Sequence, residues 1–126
     1  MQHLSFLYEK YPGLLILTPT TPMAGWGIKN EGELKYGVTD GNTSIRNMEY
    51  VWLANFCGNP AVSVPVGYTE PMKGSGRLPV GLMAMGEWGA EDQLLGWGLE
   101  AEEYLNGGGG GRVRAGNWVD VLGSRK

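Results

Sequence analysis

No stretch constrains this chain more than Met48 to Gly67, MEYVWLANFCGNPAVSVPVG, where an apolar helical pattern stops at Gly58-Asn59-Pro60 and gives way to a strand. Gly58 can take the left-handed conformation that ends a helix, while Pro60 removes a backbone donor and pushes Asn59 towards extended geometry. The helix therefore ends there. Beyond it Val62, Val64 and Val66 alternate with Ala61, Ser63 and Pro65. A period of two with β-branched bulk on one side predicts a strand packed closely on its small face. Pro65 cannot donate to a ladder, so the strand belongs at a sheet edge or Pro65 at the strand's end.

The remaining elements follow from the same rules. His3 to Lys10, apolar at Leu4, Phe6 and Leu7, reads as the last turns of a helix that begins upstream, stopped by Pro12-Gly13. Leu14 to Thr18 is a short, continuously apolar strand of the kind covered on both faces. Thr18 to Pro22 then forces an extended, donor-poor loop of a kind that lines sites at strand ends. Met23 to Gly41 reads as irregular surface structure anchored by Trp26 and Tyr36. Asn42, Thr43 and Ser44 are N-cap choices for one helix whose apolar face is Ile45, Met48, Val51, Trp52 and Phe56. Leu78 to Met85 is a third nearly uniform apolar strand. Glu91 and Asp92 open a helix with the stripe Leu94, Trp97, Gly98, Ala101 and Leu105, ending near Asn106-Gly107. Five of the 22 glycines form the run Gly107 to Gly111, so residues 106–126 read as a glycine-rich linker and tail, with Trp118 to Leu122 as a last strand or cover.

Composition removes several functional classes. A formal charge of −3 without a basic or acidic block recruits neither nucleic acid nor an anionic membrane. One cysteine, Cys57, excludes an intrachain disulfide framework, and His3 is the only histidine, too few soft ligands for zinc. No apolar run reaches the roughly 18 residues of a spanning helix and no signal peptide is evident, which predicts a soluble, cytoplasmic protein with no metal or cofactor. The sequon Asn42-Thr43-Ser44 would matter only in a secreted chain.

The chemistry-bearing residues do not assemble into a catalytic pattern. No two serines are adjacent, and Gly74-Ser75-Gly76 sits in a polar connection rather than a nucleophile elbow. Cys57 reads as a buried helix-end thiol. Glu31 and Glu33, Glu91 and Asp92, and Glu100 with Glu102 and Glu103 are spaced as solvated faces. Glu87, at a strand end between Met85 and Trp88, is the acid whose apolar surroundings would raise its pKa. Gly81 to Gly86 has the glycine spacing of a phosphate loop, but Glu87 stands where lysine is required.

Taken together, TPTTP (Thr18 to Pro22), NFCGNPAVSVPVGY (Asn55 to Tyr68), LPVGLMAMG (Leu78 to Gly86) and AEDQLLGWGLEAEEYL (Ala90 to Leu105) stand in an order and spacing that resembles the C-terminal end of the amidase signature family. The resemblance runs from about Phe6 to Val121 and looks closest to fungal-type, acetamidase-like members. Cys57 replaces the threonine usual before Gly-x-Pro. The resemblance implies an α/β fold: a portion of a large mixed β-sheet flanked by helices, incomplete on its own. It further implies hydrolysis of carboxylic amides by a serine, a second serine in a cis peptide and a lysine, all in the family's N-terminal half. None of Lys10, Lys29, Lys35, Lys73 or Lys126 matches that motif, so no catalytic residue carries over. Thr20, Thr21 and Trp26 are the candidates for a pocket wall.

An imbalance in the inventory agrees with that implication. Three strands that read as buried on both faces have two full helices and a stub to cover them. The expectation is therefore a C-terminal amidase segment, residues 1–126, inactive alone. It would meet a small-molecule amide only when joined to the N-terminal half. The alternative is a non-catalytic module that completes the sheet of a partner amidase chain.

Overall fold

The structure is a computed structural model and describes residues 2–37, 40–108 and 111–113. Helix α1 (Gln2–Lys10) leads into β1 (Ile16–Pro19), followed by α2 (Glu31–Tyr36), α3 (Gly41–Asn47), α4 (Val51–Cys57), β2 (Ala61–Thr69), β3 (Leu78–Met85) and α5 (Glu91–Gly107). The strands form one antiparallel sheet in the order β1-β3-β2. The arrangement is α/β, as the resemblance implies, and among the described residues all of the sheet's pairings are antiparallel.

Register decides which side chains share a face, because directly paired residues point the same way. Met85 pairs with Ile16 and Ala61, and Met83 with Thr18 and Ser63, so these lie on one face. Leu82 and Ala84 lie on the other with Val64 and Val62. On the first face α1 and α4 build a core of Leu4, Tyr8, Ala54, Cys57 and Met85, with Leu14 and Ile16 packed against it. On the second, α5 crosses β2 with Gly98 against the Val64 side chain, and Leu94 and Leu105 are buried. The stripe expected from sequence is thus the buried one.

The Gly-Asn-Pro stop forms as its chemistry dictates. Gly58 is left-handed, with φ 70° and ψ 25°, and its N–H donates to the Ala54 carbonyl. Buried Asn59 reaches across to β3, donating from Nδ2 to the Gly86 carbonyl at 2.9 Å, while Gly86 N–H donates to the Pro60 carbonyl at 3.0 Å. Trp88 Nε1 donates to the Cys57 carbonyl at 3.0 Å. One reversal therefore joins the end of α4, the start of β2 and the end of β3. Pro65 sits on an edge strand, with a bulge between Pro65 and Gly67.

Several expectations are corrected. The apolar run at Leu14 begins as a loop, and β1 spans only Ile16–Pro19, with Leu17 half exposed rather than covered. Within Met23 to Gly41 lies a helix, α2, because Asn30 accepts from Glu33 N–H as an N-cap. The single helix expected through Ile45 and Phe56 is two, capped by Asp40 at α3. Met48 donates to Ile45, Glu49 to Arg46 and Val51 to Met48, three-residue bonds that tighten the chain and change the phase of the helix beyond them. In the new phase Ala54 and Cys57 face the sheet, while Trp52 is 57% and Phe56 85% exposed. The small face of β2 is open: Ala61, Ser63 and Pro65 are exposed and the valines are the partly buried side. The segment Trp118 to Leu122 lies outside the described residues.

Outward apolar faces remain on both helical layers. On α4 these are Trp52, Leu53 and Phe56, and on α5 Leu95 and Leu99, four apart and each more than 60% exposed. A helix apolar on both sides belongs to an interior.

Asp40 accepts from Thr43 N–H at 3.0 Å, and that bond, aided by Lys29 at 3.6 Å, holds its carboxyl below the ordinary 3.8. The contribution of this cap is present above the ordinary carboxylate pKa and is lost as pH falls through the lowered one. Asp40→Asn keeps the cap, and helicity of the Gly41–Asn47 segment followed by NMR between pH 6 and 2 should then lose most of its pH dependence. Asn59→Ala leaves the Gly86 carbonyl without its buried donor. It should lower the unfolding free energy by about 1–3 kcal/mol in urea titration.

Candidate functional site

Where β1 ends, Thr20 N–H donates to the Gly81 carbonyl at 3.0 Å, carrying the chain one step past the last strand residue. This bond fixes the Thr20 side chain over β3. Its Oγ1 lies 2.5 Å from Ser63 Oγ on β2, so a hydroxyl pair spans the central strand. The pair exists because residue 81 is glycine. A Cβ there would fall 2.5 Å from Thr20 Oγ1 and 3.3 Å from Ser63 Oγ, closer than side chains tolerate.

Beside the pair, between α4 and the open half of the sheet, is a concavity of about 310 Å³ lined by Thr20, Val51, Ala54, Asn55, Ala61, Val62, Ser63 and Met83. The walls are mostly aliphatic, with polar groups from the two hydroxyls and the Asn55 amide. No lining side chain is a titratable base or acid. The site can hold an apolar group and exchange neutral hydrogen bonds with it. Among the described residues, none that lines it is able to take the Ser63 proton.

The three pocket-wall candidates separate in space. Thr20 lines the concavity. Thr21 turns the other way, its Oγ1 donating to the Met23 carbonyl at 2.7 Å. Trp26 lies in the loop ahead of α2, is 39% exposed and is not among the lining residues. Sequence alone does not single out Ser63, Gly81 or Asn55. The available signals were a glycine inside an apolar strand, which marks a close approach, and a lone serine on the small side of a valine strand. Neither states that the two meet.

Elsewhere, Cys57 is a buried free thiol and Glu87 is exposed. Tyr8 is 1% exposed, makes an edge-to-face contact with Trp88 at 6.2 Å, and its hydroxyl has no hydrogen-bond partner among the described residues. Burial first, then the nearby Glu87 and Cys57, pushes its pKa above 10.0. Among the described residues no three His, Cys, Asp or Glu side chains are grouped to hold a metal ion, and no helix is long and apolar enough to cross a membrane.

Comparison with known proteins bears on what such a site belongs to. The family model for amidase matches residues 9–95. The chain is 40% identical over 89 residues to a fatty acid amide hydrolase of Arabidopsis thaliana, covering 71% of this chain and 14% of that protein. It is 37% identical over 110 residues to a fatty acid amide hydrolase of Medicago truncatula, covering 87% and 17%. It is 33% identical over 88 residues to a glutamyl-tRNA(Gln) amidotransferase subunit of Rhodospirillum rubrum, covering 70% and 15%. The chain thus spans about a sixth of the length of these curated relatives.

Gly81→Ala forces its new methyl into the hydroxyl pair and should cost about 1–3 kcal/mol in urea unfolding, more than Ser63→Ala, whose lost bond is exposed. Tyr8→Phe removes a buried, unpartnered hydroxyl and should change stability by less than about 1 kcal/mol at neutral pH. The stability tied to a neutral Tyr8 is present in full below the phenol's ordinary 10.0 and is lost as pH rises through the raised value. Unfolding measured from pH 8 to 12 should show a smaller alkaline loss in Tyr8→Phe than in the unaltered chain.

Proposed function

The chain belongs to the amidase signature family, and on that footing we propose that it is the C-terminal scaffold segment of an amide C–N hydrolase, without hydrolytic activity of its own. The observation that carries this reading is the chemistry of the Thr20–Ser63 concavity. It joins an apolar hollow to two hydroxyls, with no base to activate either. The sequence agrees, since it has no adjacent serines and no lysine in the family's catalytic motif. In the complete enzyme this segment supplies sheet, packing helices and part of a pocket wall at Thr20, with Thr21 and Trp26 on the loop beyond it. The reacting serine, its partner serine and the lysine come from the family's N-terminal half. The small-molecule amide is bound only when both parts are together.

The relatives' names divide between a hydrolase of fatty acid amides and one component of an amidotransferase, so the amide itself is common ground and the acyl part is not. A second reading rests on the outward apolar faces of α4 and α5. Here the chain is a non-catalytic module that pairs with another amidase chain, either through its sheet edge or through those faces.

The purified chain assayed with short-chain and long-chain primary amides should release no ammonia above the buffer rate. Turnover that disappears on mutation of one of its own serines, Ser63 above all, would overturn the scaffold reading.

A further inference from the structure

We propose that Ser75, at the tip of the turn joining β2 to β3, is a phosphorylation site for a protein serine kinase that recognises basic residues on both sides of its target. Ser75 plays no part in the amide chemistry, so the site stands whether or not the chain is a scaffold segment.

Access comes first, because a kinase acts on a hydroxyl that reaches its cleft on a stretch of backbone free to extend. Thr69 and Leu78 are the last pair of the β2–β3 ladder, and beyond them residues 72–77 are all exposed. Glycine flanks the serine on each side. Gly74 and Gly76 have φ of 87° and 109°, backbone that glycine accepts without strain, and a methyl built on either would meet nothing within 4 Å. The tip therefore stands in open space and can straighten without a side-chain clash.

The other described serines are held in place. Ser5 and Ser44 lie within α1 and α3, and Ser44 N–H is committed to the Asp40 carbonyl. Ser63 is in a strand, its Oγ paired with Thr20. Arg46 follows Ser44 by two residues, as Arg77 follows Ser75, so what separates these two serines is the helix around one and the open turn around the other. Ser124 lies outside the described residues.

Charge then selects the partner. The motif is Lys73-Gly74-Ser75-Gly76-Arg77, with a cation two residues before the serine and another two after. An acidic peptide cleft attracts both. In the transfer Ser75 Oγ attacks the γ-phosphorus of ATP. The new O–P bond forms as the bond from that phosphorus to the β–γ bridging oxygen breaks. The serine proton passes to the catalytic aspartate of the kinase, and ADP leaves with the electron pair. The product carries the formal charge of the chain from −3 to about −5, and Lys73 and Arg77 on either side partly balance it.

The test is incubation of the full chain with ATP, Mg²⁺ and a recombinant serine kinase that prefers Lys or Arg on both sides of its target, followed by peptide mass spectrometry. Ser75 should carry one phosphoryl group, and Ser75→Ala should remove it with the unfolding midpoint unchanged. Lys73→Gln should lower kcat/KM for the transfer by about tenfold, the loss of one charge-assisted contact, and Lys73→Arg should restore it. Arg46→Gln should leave the rate as it was. Phosphate on Ser44 or Ser124 with Ser75 unmodified, no incorporation at all, or a rate indifferent to Lys73→Gln would each overturn the proposal.

Discussion

The reversal at Gly58-Asn59-Pro60 is the joint that holds the fold in register. Left-handed Gly58 ends α4, Pro60 prevents the helix from resuming, and Asn59 is left buried with a side-chain amide that must find a partner. It finds the Gly86 carbonyl at the far end of β3, where the Pro60 carbonyl also accepts from Gly86 N–H. Those bonds set the register of β2 against β3, and register sets the faces. A slip of one residue would put Val62 and Val64 under α4 and leave α5 facing Ala61 and Ser63. Trp88 adds a third tie, to the Cys57 carbonyl, and its ring closes over Tyr8 from α1.

From that joint the two faces of the sheet diverge in completeness. The end near Met85 is covered by α1 and α4 and is well buried. The end near Gly81 is bare on the same face, and the helices themselves are apolar on the sides turned away from the sheet. Phe56, 85% exposed, forgoes most of the roughly 1.5–3 kcal/mol that full burial of such a side chain contributes. The match covers about a sixth of each of two curated relatives. The hydroxyl pair over Gly81 lies where the covered and the bare regions meet.

The chain's chemistry follows from its architecture. The hollow brings two hydroxyls to 2.5 Å of each other and surrounds them with aliphatic walls, an arrangement for contact and shape. The residues that looked most reactive in isolation are elsewhere in role. Cys57 is buried, with its carbonyl tied to Trp88, and Glu87 faces solvent at the end of β3.

Features that depend on a few neighbouring residues are legible in the amino acids alone. These are the α4 stop at Gly58, the edge position of the strand bearing Pro65 and the α5 stripe from Leu94 to Leu105. Backbone sterics and hydrophobic period act over one or two turns, so no distant contact is needed to read them. Phase, and meeting across strands, were settled only in the folded chain. The three-residue hydrogen bonds around Met48 rotated α4 so that Ala54 and Cys57, not Trp52 and Phe56, met the sheet. The small face of β2 stayed open because no helix described in this chain reaches it. Thr20, Ser63 and Gly81 lie on three different strand segments, and no local rule links residues so far apart in the chain. Their contact follows from two registers together, β2 on β3 beside the Asn59–Gly86 bonds and β1 on β3 continued by Thr20 N–H to the Gly81 carbonyl.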